Sequence, residues 1–252
     1  MRFKDRKILL TGGSGAMGQR ISAAITAQGG EVTIVDLRPP AEGSTRFVAG
    51  DLSSCQDLDR LAADIADEPW DILINLAGIQ HFGPCEAQSP GHLYATYMIN
   101  LVAPARLAQA VIPGMKARRS GQIVNVGSIF GSINFAHFAT YSSSKAGLQA
   151  LSESLRRELE GTGVGVTYVA PRAVKTPLNS DAVNAFAKLT GMNMDEPDAI
   201  AVRIVEAISS DRRDVYLGFP ESLFVKVNGL APGLVDRALR ANDLKARSLF
   251  PQ

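Results

Sequence analysis

Lys7-Ile8-Leu9-Leu10-Thr11-Gly12-Gly13-Ser14-Gly15-Ala16-Met17-Gly18, joined to Glu31-Val32-Thr33-Ile34-Val35-Asp36, decides the fold. Residues 7–10 read as a short apolar strand, a glycine turn follows, and Ile21-Ser22-Ala23-Ala24-Ile25 reads as a helix. Glycines let the backbone approach an anion closely, and the positive end of the helix dipole lies where that anion would sit. The second strand ends in Asp36, at about the spacing expected of a carboxylate that accepts hydrogen bonds from an adenine ribose. Strand, glycine loop, helix and strand with a terminal acid predict a dinucleotide site. Gly12, Ser14, Gly15, Ala16, Met17 and Gly18 would hold its pyrophosphate, and Asp36 with Leu37 its adenosine end.

Outward from this unit the chain alternates strand and helix. Residues 7–10, 31–36, 45–49, 71–75, 122–127, 165–169 and 214–217 are the strand candidates, with helical patterns between them. Such alternation predicts an α/β fold, a Rossmann-type doubly wound parallel sheet with helices on both faces, in a single domain. Ligands of such sheets bind at the carboxyl ends of the strands, and Gly12, Asp36, Asp51, Asn75, Ser128 and Pro171 each follow or close one.

Tyr141 and Lys145 add chemistry. Four residues apart on a helix, they share a face, so the ammonium is expected beside the phenol. A cation there, together with a positive nicotinamide ring, would bring a pKa of roughly 10 toward neutral, a change of about three units or ~4 kcal/mol. Tyr141 could then exchange a proton while Ser128, thirteen residues earlier, holds the substrate oxygen.

In these motifs and their order the chain resembles the short-chain dehydrogenase/reductase family, from about residue 5 to residue 218. The resemblance implies that Thr11 to Gly18 is the cofactor loop and that Asp51-Leu52 lines the adenine pocket. It implies further that Asn75-Leu76-Ala77-Gly78 follows the fourth strand against the cofactor. Asn100, in Met98-Ile99-Asn100-Leu101, would hold a relay water and complete a tetrad with Ser128, Tyr141 and Lys145. Pro171 to Thr176 would grip the nicotinamide carboxamide through the Val174 backbone and the Thr176 side chain. The implied activity is interconversion of a secondary alcohol and a ketone, or another carbonyl, by an oxidoreductase using NAD(H). NADP is less favoured, since Asp36 repels its extra phosphate and residues 12–18 contain no Lys or Arg. An epimerase- or dehydratase-like member and a non-catalytic NAD-binding regulator remain as alternatives. A homodimer or homotetramer is implied as well.

Three positions depart from the family pattern. Ala16 replaces the middle glycine of the loop, Leu76 replaces a second asparagine, and Arg172 stands where glycine usually follows Pro171. Solvent is the expected environment of Arg172, because charged side chains are mostly exposed.

Length and composition agree with one core: 252 residues, 46% of them hydrophobic. A net charge of +1 offers no field for nucleic acid, and none is expected to bind. Cys55 and Cys85 read as reduced thiols, and His81, His92 and His137 lack ligand spacing, so no metal site is expected. The charged N-terminus and the absence of a long apolar run predict a cytoplasmic protein.

Residues 1–220 are thus read as the NAD(P)-binding catalytic domain, with a substrate lid at about 178–196. Phe186, Leu189, Met192 and Met194 would line this lid and admit a lipophilic small molecule. Pro197 opens a helix with Asp195 as its expected cap and Ile200, Ile204, Val205 and Ile208 as its buried stripe. Residues 221–252 form a C-terminal apolar and basic extension in two helical halves broken at Pro232-Gly233. Packing on the lid or on a neighbouring subunit is the preferred reading of this extension, and contact with a membrane surface the less favoured one.

Overall fold

The computed structural model describes residues 2–40 and 45–250, so Met1 and the last two residues of the extension lie outside the described residues. Its centre is a seven-stranded sheet: β1 (Lys7–Thr11), β2 (Glu31–Asp36), β3 (Arg46–Ala49), β4 (Ile72–Asn75), β5 (Gly121–Val126), β6 (Val164–Pro171) and β7 (Asp214–Leu217). The strand order is β3-β2-β1-β4-β5-β6-β7, and every pairing is parallel. The order reverses between β1 and β4. A crevice opens at that switch point beyond the carboxyl ends of the strands.

Both faces of the sheet are buried, which is why its strands read as continuous apolar runs. Alternate residues serve opposite faces. Ile8 and Leu10 join Ile21, Ile25, Ile200 and Ile204 on the side of α1 (Ala16–Thr26) and α7 (Pro197–Ser209). Leu9 joins Leu58, Leu61, Leu107 and Leu73 on the side of α2 (Cys55–Ala66) and α4 (Ala103–Arg118). The expected stripe of α7 is buried throughout. Among the described residues no helix is long and apolar enough to cross a membrane.

Two segments differ from the sequence reading. The segment read as a lid, which shows no strict period, contains a helix, α6 (Asp181–Thr190), capped by the Ser180 hydroxyl and ended by Gly191 at φ +69°. Only Val183, Phe186 and Ala187 are buried, so one narrow face carries the helix and polar residues blur its periodicity. Glu196, whose carboxylate accepts from the Lys175 ammonium and makes no capping hydrogen bond, occupies the N-cap of α7 in place of Asp195, whose carboxylate is taken by Arg172.

The extension folds as α8 (Glu221–Leu230) and α9 (Pro232–Arg247). Val225, Val227, Val235 and Leu239 pack on Ile129 and Ile133, while Ala246 and Leu249 pack on Phe130, Phe138, Tyr141 and Phe186. It lies as a flap against α6 and the segment after Ser128.

Candidate active site

Gly12 adopts φ +70°, and a Cβ there would lie 2.8 Å from the Ala77 Cα. A Cβ on Gly18 would lie 2.2 Å from the Gly12 carbonyl oxygen, so the first turn of α1 rests directly on the loop. The carboxylate of Asp36 accepts from the backbone N–H groups of Ser14, at 3.0 Å, and Leu37, at 2.8 Å. Asp36 therefore braces the loop as well as lining the cavity beside it. The Thr11 hydroxyl oxygen accepts from the N–H groups of Leu76 and Ala77 at 3.1 and 3.2 Å, tying the segment after β4 to the same loop. Asp51 accepts from the backbone N–H and the hydroxyl of Ser53 at 2.8 and 2.6 Å.

Asn100 lies in a π-helical turn, Met98–Val102, between α3 (Pro90–Tyr97) and α4. The extra residue of a π turn re-aims a side chain, and such turns are frequent at functional sites. Here the Asn100 Oδ1 accepts from the Ile79 N–H at 2.9 Å, and Nδ2 donates to the Ile79 carbonyl at 2.9 Å and to the Ser144 hydroxyl at 3.0 Å. Gly78 separates Asn100 from Lys145: a Cβ on it would stand 3.2 Å from the Asn100 Oδ1 and 3.4 Å from the Lys145 Nζ.

Tyr141 and Lys145 lie on α5 (Ala139–Glu158), both buried. The ammonium is 6.0 Å from the centroid of the phenol ring and donates to the Val126 carbonyl at 2.9 Å. Burial lowers the Lys145 pKa from 10.5 to about 8. Burial also pushes the Tyr141 phenol above its ordinary value, an effect partly offset by a hydrogen bond with Ser128. The expected lowering of the Tyr141 pKa is therefore not met in the free chain. Removing the phenolate from water outweighs an ammonium at this distance that is itself desolvated. Ser128 ends the approach from β5, and its hydroxyl oxygen accepts from the Phe130 N–H at 3.1 Å.

One cavity of about 840 Å³ joins these groups. Gly12, Ser14, Gly15, Ala16, Met17, Gly18, Asp36, Leu37, Asp51, Leu52, Ala77, Gly78, Ser128, Tyr141, Lys145, Pro171, Val174 and Thr176 all line it. Two predicted residues do not. Asn100 sits behind Gly78, and the Asn75 Nδ2 donates inside the sheet to the Asn125 Oδ1 at 2.8 Å. The buried Asn75 Oδ1 has no partner among the described residues. Sequence reading missed Gln80, Phe130 and Phe138 on the cavity wall. The aromatic density of residues 130–138 was a signal for two of them, and Gln80 carried none. Arg172 also departs from expectation. Asp195 and Glu221 hold its side chain, 17% exposed, out of solvent.

A glycine loop open to a cavity at a helix N-terminus, a carboxylate closing the second strand and a buried Ser-Tyr-Lys group define a dinucleotide-binding oxidoreductase. The family model described as short chain dehydrogenase matches residues 6–186, and the chain belongs to the short-chain dehydrogenase/reductase family. It is 31% identical over 255 residues to the ketoacyl reductase HetN of Nostoc sp., covering 93% of this chain and 88% of that protein. A short-chain dehydrogenase from Streptomyces avermitilis superimposes with a TM-score of 0.77 at 27% identity, over 94% of this chain and 97% of that one. A short-chain dehydrogenase from Sphingobium yanoikuyae in complex with NADPH shares the fold, with a TM-score of 0.78 at 24% identity, over 92% and 95% of the two chains.

Proposed function

We propose that the chain interconverts a secondary alcohol and a ketone, or another carbonyl, with NAD(H), Tyr141 serving as acid and base. The observation that carries this reading is the burial of Ser128, Tyr141 and Lys145 together on the wall of the cavity that ends at the glycine loop. The residues fit a dinucleotide: Gly12 and Gly18 leave no room for a Cβ, and Asp36 brings to the cavity wall a carboxylate that would accept from ribose hydroxyls. The loop from Gly12 to Gly18 would hold the pyrophosphate, Asp36 the adenine ribose, Lys145 the nicotinamide ribose, and Val174 with Thr176 the carboxamide. When bound there, the cofactor supplies or accepts the hydride.

The chain's own groups manage the proton and the substrate oxygen. Ser128 donates a hydrogen bond to that oxygen and orients it toward the phenol. Burial keeps Tyr141 protonated in the free chain, so in the reducing direction its O–H delivers the proton to the oxygen as negative charge develops there. The Lys145 ammonium stabilises the resulting phenolate, and Asn100 fixes the Ile79 backbone at the edge of the cleft. Phe130, Phe138, Val183 and Met192 make the substrate side apolar. Arg172, paired with two carboxylates, offers no free charge to an anion, which favours a neutral, lipophilic carbonyl.

NADH is preferred over NADPH because Asp36 would face the extra phosphate, although the Sphingobium yanoikuyae relative is in complex with NADPH. Tyr141→Phe tests the assignment. Turnover of a ketone panel falls at least ~100-fold, as for loss of a general acid, while NADH binding measured by fluorescence is retained. Residual turnover near that of the wild type would refute the role of Tyr141.

A further inference from the structure

Arg172 follows the end of β6, where its N–H donates to the Leu217 carbonyl at 3.1 Å. Its Nε and Nη2 form a fork on the Asp195 carboxylate at 2.9 and 2.6 Å. Its Nη1 donates to the Glu221 carboxylate and to the Phe219 carbonyl, both at 3.0 Å. The three charged side chains are 17, 21 and 22% exposed. An exposed ion pair contributes little, but a planar two-pronged pair with so little water access also fixes geometry.

The backbone around Arg172 is built for it. Gly218 has φ +108°, and a Cβ there would lie 2.5 Å from the Arg172 Cδ. Asp195 is stitched to the loop below by its own backbone. Its N–H donates to the Ala173 carbonyl at 2.8 Å, and its carbonyl accepts from the Lys175 N–H at 3.0 Å. Asp195 closes the lid segment, and Glu221 is the first residue of α8. One guanidinium thus joins three segments: the loop bearing Val174 and Thr176, the returning end of the lid, and the root of the extension. The far end of that extension backs the apolar wall through Ala246 and Leu249.

We propose that Arg172 is a positioning residue that makes the lid and the C-terminal extension one body with the cofactor-side loop, so that they close together over dinucleotide and substrate. This rests on the reading that the cavity takes NAD(H). The brace itself is a claim about this chain and can be tested without turnover.

The test combines limited proteolysis of the full chain, NADH titration, and kinetics with a small and a bulky apolar ketone. In Arg172→Met, cleavage rises in both residues 178–196 and 221–250. The NADH Kd and the KM for the bulky ketone rise about tenfold, as expected when one partner of a desolvated charge pair is removed, while kcat changes much less. Glu221→Gln exposes only the extension, and Asp195→Asn only the lid. Arg172→Lys keeps the charge but not the fork and falls between wild type and Arg172→Met. Should Arg172→Met fail to fold, Glu221→Gln and Asp195→Asn, each leaving one arm intact, carry the test. Unchanged cleavage in all variants, or a fall in kcat at constant KM and constant Kd, overturns the proposal. Loss of protection in the variants, with a wild-type chain that does not bind NADH, would instead refute the functional reading and leave the brace standing.

Discussion

Lys145→Met tests how much stability the fold gives up to bury an ammonium. Burial takes the Lys145 pKa from 10.5 to about 8. At 1.36 kcal/mol per unit this makes the charged form about 3 kcal/mol less favourable in the folded chain than in water. The unfolded chain binds more protons between about pH 8 and pH 10.5, so stability attributable to this residue rises as pH climbs through that window and is lowest below it. Methionine removes the charge at similar volume but leaves the Val126 carbonyl without the 2.9 Å hydrogen bond from Nζ, a loss of about 1 kcal/mol. At pH 7 the cofactor-free variant is therefore expected to be more stable by about 2 kcal/mol, a rise in Tm of roughly 4–8 °C for a chain of this size. Above pH 10.5 the sign reverses, because the wild-type amine is then neutral and keeps its bond. Calorimetric scans of both proteins from pH 7 to pH 10.5 measure the difference directly. A gap in Tm that does not narrow with rising pH would refute the burial argument, whatever its size at pH 7.

Gly18→Ala places a methyl 2.2 Å from the Gly12 carbonyl oxygen and 2.5 Å from the Gly13 Cα, backbone atoms that cannot rotate away. A loss of at least ~2 kcal/mol in stability and no measurable NADH binding are expected, checked by thermal unfolding and fluorescence titration. Asp36→Asn removes the charge opposed to a ribose phosphate while keeping one acceptor oxygen. The ratio of kcat/KM for NADH to that for NADPH should fall about tenfold, equivalent to 1.4 kcal/mol, and an unchanged ratio would remove Asp36 from cofactor choice.

The sheet was legible because its strands are short apolar runs buried on both faces, a pattern that survives without knowledge of the partners. The boundaries of β2 and β7 are those expected, whereas β6 extends from Val164 to Pro171, beyond the expected 165–169. The wall of the cavity at the glycine loop and α5 was legible for a related reason. Glycines, a strand-terminal carboxylate and a Tyr-x-x-x-Lys pair are local patterns whose geometry follows from one turn or one helix. The opposite wall was not. Gln80 donates to the Leu178 carbonyl at 2.9 Å, a partner 98 positions away, and no local period announces such a bond. Arg172 was misplaced in solvent because its two carboxylates come from residues 195 and 221. The average exposure of arginine is a poor guide once a fold supplies both. Likewise the π turn that aims Asn100 departs from the regular helix that an apolar sequence such as Met98-Ile99-Asn100-Leu101-Val102 suggests.

Burial acts on both members of the Tyr141–Lys145 pair in the direction of neutrality, raising the phenol and lowering the amine. A core built only for stability would hold neither. The free chain keeps an ammonium that has lost most of its water and has gained one carbonyl, so this part of the site is under-solvated by construction. A ligand whose hydroxyl oxygens reach Nζ would supply the missing acceptors, and some of the free energy withheld from folding would return as affinity. On the proposed mechanism the same low-dielectric surroundings would strengthen the attraction between the ammonium and a phenolate formed during proton transfer. The groups that lower the stability of the fold are, on that mechanism, those that would favour the charged state, and Gly78, which leaves space beside the Lys145 Nζ, keeps that ammonium within reach of the cleft.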